Sequence, residues 1–359
     1  MKIVDRYLIQ EFLRNLLFIT LSFIALFLIV DFFEKIRMFL SNHATFWQMG
    51  SYFLFTMPMV VSQILPAAIL LASLVTCGTL CRHSECTAMK ANGISLYRIA
   101  LPILIIAALT SLLIFFLSEW VTPLTNDRAE QIRLVEVQKQ PLRGSFKQDQ
   151  IWYRGAKGIY NFRLFDARTG TLQGITIHYL DHQMNLTMRL DAERGEWKEG
   201  RWLFHNLLIA RFDGGEFPVL SRIKQQVVDL PEMPSDFQLI QKDVDTMGYS
   251  ELKRYIRKLQ SEGYDATRYA VDLHGKMAFP LVSILLAVIG IAFSLRSERS
   301  GGIAQGIGAG LVIGFSYWIV YAFGMSLGRS GTLPPFIAAW FANILFAVAS
   351  LFLVRRVNT

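Results

Sequence analysis

The apolar positions fall into two groups of long runs, separated by a polar stretch in which apolar residues recur at every second position. Runs near 15–33, 52–76 and 99–120 come before that stretch, and runs near 274–295, 303–325 and 334–354 come after it. A bilayer core needs about 20 apolar helical residues to cross it, and each run meets that length. Three spans out and three spans back place both termini on one side of a membrane and the intervening block on the other. The pattern predicts an α+β membrane protein: six transmembrane helices, three and three, with an inserted antiparallel β domain.

The block itself carries the strand signal. Ile175, Ile177 and Tyr179 alternate with Thr176 and His178, and Leu186, Met188 and Leu190 alternate with Thr187, Arg189 and Asp191. Trp202 and Phe204 continue the pattern. Such alternation marks strands with one face on a core. Turn residues separate the runs at 155–158, 166–170, 198–200 and at Asp213-Gly214-Gly215. Short strands at this spacing predict a sandwich or jelly roll, whose open edge would invite pairing with a similar domain. Residues 124–139 read as a helical continuation of the third span. Ser250 is placed to cap a helix with Leu252, Tyr255, Ile256 and Leu259 on one face, stopping near Gly263. The expected division is 1–123 for a lead-in helix, three spans and their inner loop, 124–270 for the β domain with its helical connectors, and 271–359 for the last three spans.

Charge orients this layout. Lys2, Arg6, Arg14, Arg82, Lys90, Arg98, Arg296, Arg299, Arg355 and Arg356 fall on the side of the termini, whereas the short opposite loops hold Lys35, Arg37 and Arg329. Cytoplasmic loops are the Lys/Arg-rich ones, so both termini are expected inside and the β block outside. The net charge of +8 therefore reports membrane topology, and nucleic acid is not an expected partner. The hydrophobic fraction of 53% and mean hydropathy of +0.36 agree with a multi-pass chain. The first run ends at Asp31-Phe32-Phe33-Glu34 without a small-residue cleavage site, which predicts a retained span preceded by an amphipathic lead-in helix over residues 1–14.

The search for chemistry is mostly negative. The sequence contains no G-x-x-x-x-G-K-[ST] and no H-E-x-x-H, so no cofactor or metal is expected on this chain. Cys77, Cys81 and Cys86 cluster at the inner loop without zinc-site spacing and read as small apolar filler. His274 and Lys276 sit near the outer end of the fourth span, and ionisable groups are missing from the middle of the spans, where an ion-coupled transporter would need relays. Any transport by this chain would draw its energy from a partner.

The inner loop is where that partner would dock. Ser84 can cap a short helix, Glu85 sits in its first turn, and Asn92-Gly93 can end it. On residue types alone a plain connecting helix, with Glu85 favoured by the helix dipole, is the better explanation. The loop resembles, however, the cytoplasmic coupling helix of the lipopolysaccharide export permeases, the LptF/LptG family, with its Ser-Glu pair followed by Met, a small residue and Gly. Val4-Asp5-Arg6-Tyr7 and Glu119-Trp120-Val121-Thr122-Pro123 resemble further family segments. The run from Gly263 to Tyr269 is more similar to the LptG branch.

That resemblance implies an LptF/LptG pair around a central cavity, each with a periplasmic β-jellyroll, in the bacterial inner membrane. It implies an LptB ATPase dimer beneath, binding ATP and Mg, and an LptC chain adding one membrane helix. The assembly would extract lipopolysaccharide and pass it to the periplasmic bridge protein LptA. Buried methylenes hold a lipid by about 0.8 kcal/mol each, so a molecule with several acyl chains needs an engine. By the same resemblance Glu85 would meet the ATPase, flanked by Arg82, Met89 and Gly93. Lys35 and Arg37 would meet lipid phosphates at the outer end of the first span. Asp31 departs from the LptG pattern, which has Lys there, and interfacial snorkelling, or local pairing with Asp31 and Glu34, is the competing reading of both cations. Gly302, Gly306, Gly310 and Gly314 line one face of the fifth span. That face would meet another span of this chain or the first span of the paired permease. Phe315, Tyr317 and Tyr321 would then line a gate or cavity, or simply pack. The rival readings are a permease for another envelope lipid or lipoprotein, and a non-transporting anchor presenting a β domain.

Overall fold

The computed structural model describes residues 3–139, 144–147, 150–155, 158–166, 170–181, 185–198, 200–212, 217–234, 237, 244–261, 265–296 and 303–357. They form two compact units, one of residues 1–138 with 244–359 and one of residues 139–243. The helical connectors on either side of the sheet therefore pack with the spans.

The first unit is helical. Helix α1 runs Ile3–Ser41 without a break, because no Gly or Pro interrupts those 39 residues. The expected lead-in segment is thus the first part of the first span rather than a separate helix. Helix α2 (Phe46–Arg82) opens on a capping box: Thr45 Oγ1 accepts the Gln48 N–H at 3.4 Å and Gln48 Oε1 accepts the Thr45 N–H at 2.9 Å. Helix α3 (Glu85–Ala91) is the short loop helix, and α4 (Leu96–Phe116) begins after Ser95. A π turn at Leu117–Val121, helix α5 (Thr122–Gln131) and a second π turn at Ile132–Val137 prolong α4, as the sequence predicts for 124–139. After the sheet come α6 (Tyr249–Ser261), α7 (Thr267–Arg296), α8 (Ile303–Arg329) and α9 (Pro335–Val357).

Six of these segments are long and apolar enough to cross a membrane. Burial ranks them. The spanning windows of α2 and α7 are each 67% buried, whereas those of α1 and α8 are only 11% buried. Helices α2 and α7 form the spine. One core joins Leu8 and Phe12 of α1 to Ala68 and Ile69 of α2, Ile103 of α4 and Ala287 of α7. A second joins Leu70 and Leu74 of α2 to Leu286 of α7, Tyr317 of α8 and Phe346 of α9.

The second unit is one antiparallel sheet. Its strands are β1 (Gly144–Lys147), β2 (Gln150–Arg154), β3 (Gly158–Phe162), β4 (Leu164–Asp166), β5 (Thr171–Leu180), β6 (Leu186–Lys198), β7 (Arg201–Arg211) and β8 (Val219–Val228). The pairing order is β1-β2-β3-β5-β6-β7-β8, with β4 beside β5. Ile175, Ile177, Trp202 and Phe204 are buried as the alternation predicts. The alternation is not unbroken. Buried positions skip from Leu172 to Ile175 and from Phe204 to Leu207, at Gly174 (φ 60°) and Asn206 (φ 53°). Those two residues adopt a left-handed backbone where the alternation breaks, while the pairing register with the neighbouring strands is the same on either side. At the other end of the pattern Leu186 is exposed, so the core of β6 begins at Leu190. Phe237 closes the core against Tyr153, Phe162 and Trp202. The Trp202 Nε1–H donates to the Glu232 carbonyl at 2.9 Å, and the Tyr160 hydroxyl donates to Glu232 Oε2 at 3.1 Å, so this buried segment is hydrogen-bonded. Strand β8 is a sheet edge, with Val219, Leu220 and Val227 exposed. Asp213, Gly214 and Gly215 lie outside the described residues.

Candidate functional site

Helix α3 ends as the sequence predicts and begins differently. Gly93 adopts φ 77°, and its N–H donates to the Lys90 carbonyl at 2.9 Å, closing the helix. Ser84 occupies the cap position but takes a left-handed backbone (φ 61°), and its side chain makes no capping bond. The first turn is instead held from outside. Cys86 is fully buried, and Met89 packs partly buried, in the core containing Leu8 and Phe12. Burial of these two side chains turns Arg82 and Gly93 to the exposed side and leaves Glu85 half-buried between them. The thiols of Cys81 and Cys86 approach to 3.2 Å, and none of the three cysteines forms a disulfide. Among the described residues no group of three His, Cys, Asp or Glu side chains is placed to hold a metal ion.

The lead-in part of α1 grips this loop at two points. An Arg98 guanidinium N–H donates to Asp5 Oδ2 at 2.9 Å, and the Tyr7 hydroxyl donates to Glu85 Oε1 at 3.4 Å, long for such a bond. Two turns further on, Asn15 Nδ2 donates to Thr76 Oγ1 of α2 at 2.9 Å. The sequence reading did not single out these pairs. They link positions up to 93 residues apart, so no local pattern announces them.

At the far end of α1, Lys35 and Arg37 have different environments. Lys35 Nζ lies 2.6 Å from Asp31 Oδ1 and 5.0 Å from the centre of the Tyr52 ring. Asp31 is buried, and its Oδ2 has no hydrogen-bond partner. Arg37 is exposed and has no ion-pair partner among the described residues, Glu34 included. A further charged pair joins α7 to α8: Arg329 donates from Nε and from a terminal nitrogen to Asp272 Oδ1, at 2.9 and 2.6 Å. Asp272 is buried and was missed in the sequence, although Arg268, Asp272 and Lys276 stand at helical i, i+4 spacing.

The glycine face of α8 divides. A Cβ on Gly310 would meet Leu74 Cδ1 at 2.5 Å and Leu71 Cδ2 at 2.6 Å, and one on Gly314 would meet Leu70 at 3.8 Å. These two glycines therefore let α8 approach α2 of the same chain. Gly306 meets nothing within 4 Å, and Gly302 lies outside the described residues. The aromatic positions divide as well. Tyr317 is buried against Phe346, its hydroxyl donating to Asn343 Oδ1 at 2.9 Å, while Asn343 Nδ2 donates to the Ala278 carbonyl at 2.6 Å. Tyr321 stacks beside Tyr317 and packs on Phe279. Phe315 is 68% exposed, beside exposed Val312, Ile319 and Phe323.

Six helices long and apolar enough to cross a membrane, with an antiparallel sheet inserted between them, define an α+β multi-pass membrane protein. The family model of the lipopolysaccharide export system permease LptF/LptG matches residues 6–356, and the chain belongs to that family. It is 24% identical to the lipopolysaccharide export system permease protein LptG of Escherichia coli strain K12, over 99% of this chain and 98% of the relative. It is 22% identical to the LptG protein of Haemophilus influenzae, over 98% of each.

Proposed function

We propose that this chain is the LptG-type half of an ATP-driven extractor that lifts lipopolysaccharide out of the bacterial inner membrane. The observation that carries the reading is the scant cover on the spanning windows of α1 and α8, within a chain matched over residues 6–356 by the permease family. Two largely bare spans in one subunit call for a second permease of LptF type, so that a cavity for the acyl chains forms between them. Both termini and α3 then face the cytoplasm, and the sheet unit faces the periplasm. Helix α3 is the coupling helix. Arg82, Glu85 and Gly93 face a groove on an LptB-type ATPase dimer, which binds ATP and Mg, while Met89 seats the helix on its own core. An LptC-type chain adds its membrane helix, and the open edge of β8 offers backbone donors and acceptors for a strand of the periplasmic bridge that leads to LptA. Arg37, with Lys35 behind it, meets the phosphates of the lipid head.

The test is co-purification from cells expressing the chain with an LptF-type permease and the ATPase. Glu85→Ala is expected to lower ATPase recovery and lipid transfer while the chain stays folded. Undiminished recovery together with normal transfer would remove the basis for assigning α3.

A further inference from the structure

The contacts between the start of α1 and the loop around α3 have a mechanical consequence. Along residues 4–16, helix α1 is fastened to the loop and its flanking helices by an ion pair, two hydrogen bonds and a buried apolar seam. Asp5 holds Arg98 in the first turn of α4, and Tyr7 reaches Glu85 in the first turn of α3. Leu8 and Phe12 are fully buried in the same core as Cys86 and Ile99, and Val4, Met89 and Ile94 pack against it. Asn15 ties the next turn to Thr76. From this fastened foot α1 continues as one helix to Ser41, a rod of about 58 Å at 1.5 Å per residue. An unbroken helix resists bending, since sharp kinks need Pro, Gly or a π-bulge, and α1 contains no Pro or Gly.

We propose that the first turns of α1 are the transmission between α3 and the first span, with Asp5 and Tyr7 as positioning residues for Arg98 and Glu85. A displacement of α3 would then reach the lipid-facing part of α1 directly rather than by way of α2. Asp5 is largely covered, with 16% side-chain exposure, and Arg98 is 44% exposed. The pair is therefore partly shielded from solvent screening, and its removal leaves a carboxylate without its guanidinium. Tyr7 contributes orientation: its hydroxyl gives one oxygen of Glu85 a donor and leaves the other for an external cation. The inference rests on reading α3 as the coupling helix.

The test uses the full complex, with the second permease and the ATPase, in nanodiscs containing lipopolysaccharide. Three quantities are read: ATPase recovered with the chain, ATP hydrolysed, and lipid transferred per ATP. Asp5→Arg and Arg98→Asp are each expected to keep ATPase recovery and to lower lipid transferred per ATP by about 5- to 10-fold, the range of an ordinary coupling energy. The double reversal restores the ratio. Tyr7→Phe, which removes one hydroxyl and keeps the ring, lowers it by a smaller factor and keeps the proposal open to refutation where a reversal fails to fold. An unchanged ratio in Tyr7→Phe and in either folded single reversal overturns the transmission. So does loss of ATPase recovery in step with transfer, or failure of the double reversal to restore the ratio. Glu85→Ala measured alongside separates the levels. If it docks and transports normally, the assignment of α3 fails and the transmission falls with it. If Glu85→Ala loses docking while the Asp5 and Tyr7 variants behave as the parent, only the transmission fails.

Discussion

The carboxylate of Glu119 accepts the backbone N–H of Ser250 at 3.2 Å, across 131 positions of sequence, and also accepts the N–H of Tyr249. Helix α6 is therefore capped by a side chain from the π turn above α4. Ser250, the cap predicted from sequence, lies inside the first turn. Gly248 makes this approach possible: a Cβ there would stand 2.7 Å from the Glu119 carbonyl oxygen. A carboxylate at the first turn also complements the positive end of the helix dipole.

Glu119→Ala is expected to cost about 1–2 kcal/mol, the upper range for a lost N-cap, and Glu119→Gln about half of that, since one acceptor oxygen remains. Gly248→Ala should mimic the loss by pushing the two backbones apart. Denaturation midpoints of the purified chain in detergent, with hydrogen exchange at residues 249–253, check this. Exchange as slow as in the parent would show that α6 does not depend on the cap.

Two successive glycines of the α8 stripe, Gly306 and Gly310, should behave differently. Gly310→Leu forces a side chain into the buried space of Leu71 and Leu74, and overpacking of this kind costs about 1–3 kcal/mol. Gly306→Leu meets no atom of its own chain. The isolated Gly306→Leu chain is expected to melt with the parent, and its recovery with a second permease to fall. Equal loss of stability in both isolated variants would place an intrachain neighbour at Gly306.

The six spans and the strand signal were legible because both follow from the period and length of apolar runs. The foot of α1, the Glu119 cap and the Asp272–Arg329 pair were not, because each joins residues that only the tertiary fold brings together. Ser84 and Ser250 illustrate the limit. Both are good caps by residue type, yet at Ser84 a left-handed backbone turns the hydroxyl away, and at Ser250 a remote carboxylate supplies the acceptors. Within the α8 stripe, the sequence left open which spans the glycines meet. Leu71 and Leu74 of α2 answer that for Gly310, and Phe315 and Tyr317 separate because two positions along a helix point in nearly opposite directions.

The sheet unit should lose stability in mild acid. Burial first, and the Arg189 guanidinium second, hold the His178 imidazole below its ordinary value, with Asp191 opposing. The unfolded chain therefore takes up a proton on this residue more readily than the folded one. The stabilising contribution is present above the unfolded value of about 6.5 and is lost as pH falls through it toward the folded value. Hydrogen exchange over residues 171–198 of the full chain, corrected for intrinsic rates, should show weaker protection at lower pH, and His178→Gln should flatten that trend. An unchanged slope in His178→Gln would assign the acid response to another group.

The head-group site proposed at the far end of α1 offers the most direct comparison, because its two cations differ. Lys35 is already committed to Asp31 at 2.6 Å and lies against the Tyr52 ring, while Arg37 is exposed and unpaired among the described residues. A charge-assisted hydrogen bond contributes about 1.5–3 kcal/mol, so Arg37→Glu is expected to lower crosslinking of lipopolysaccharide to the first span by at least about tenfold. Lys35→Ala should lower it less and should chiefly destabilise the chain, because Asp31 stays buried without its partner. Asp31→Asn should act in the opposite direction: with the carboxylate neutralised, the Lys35 ammonium becomes available to a phosphate and crosslinking rises. None of these changes should alter ATPase recovery, since α3 lies at the other end of α1. If Arg37→Glu leaves crosslinking at the parental level, the head group binds elsewhere. Arg268, Lys276 and Arg329 are then the next positions to reverse, with Arg329 held back by its bond to Asp272.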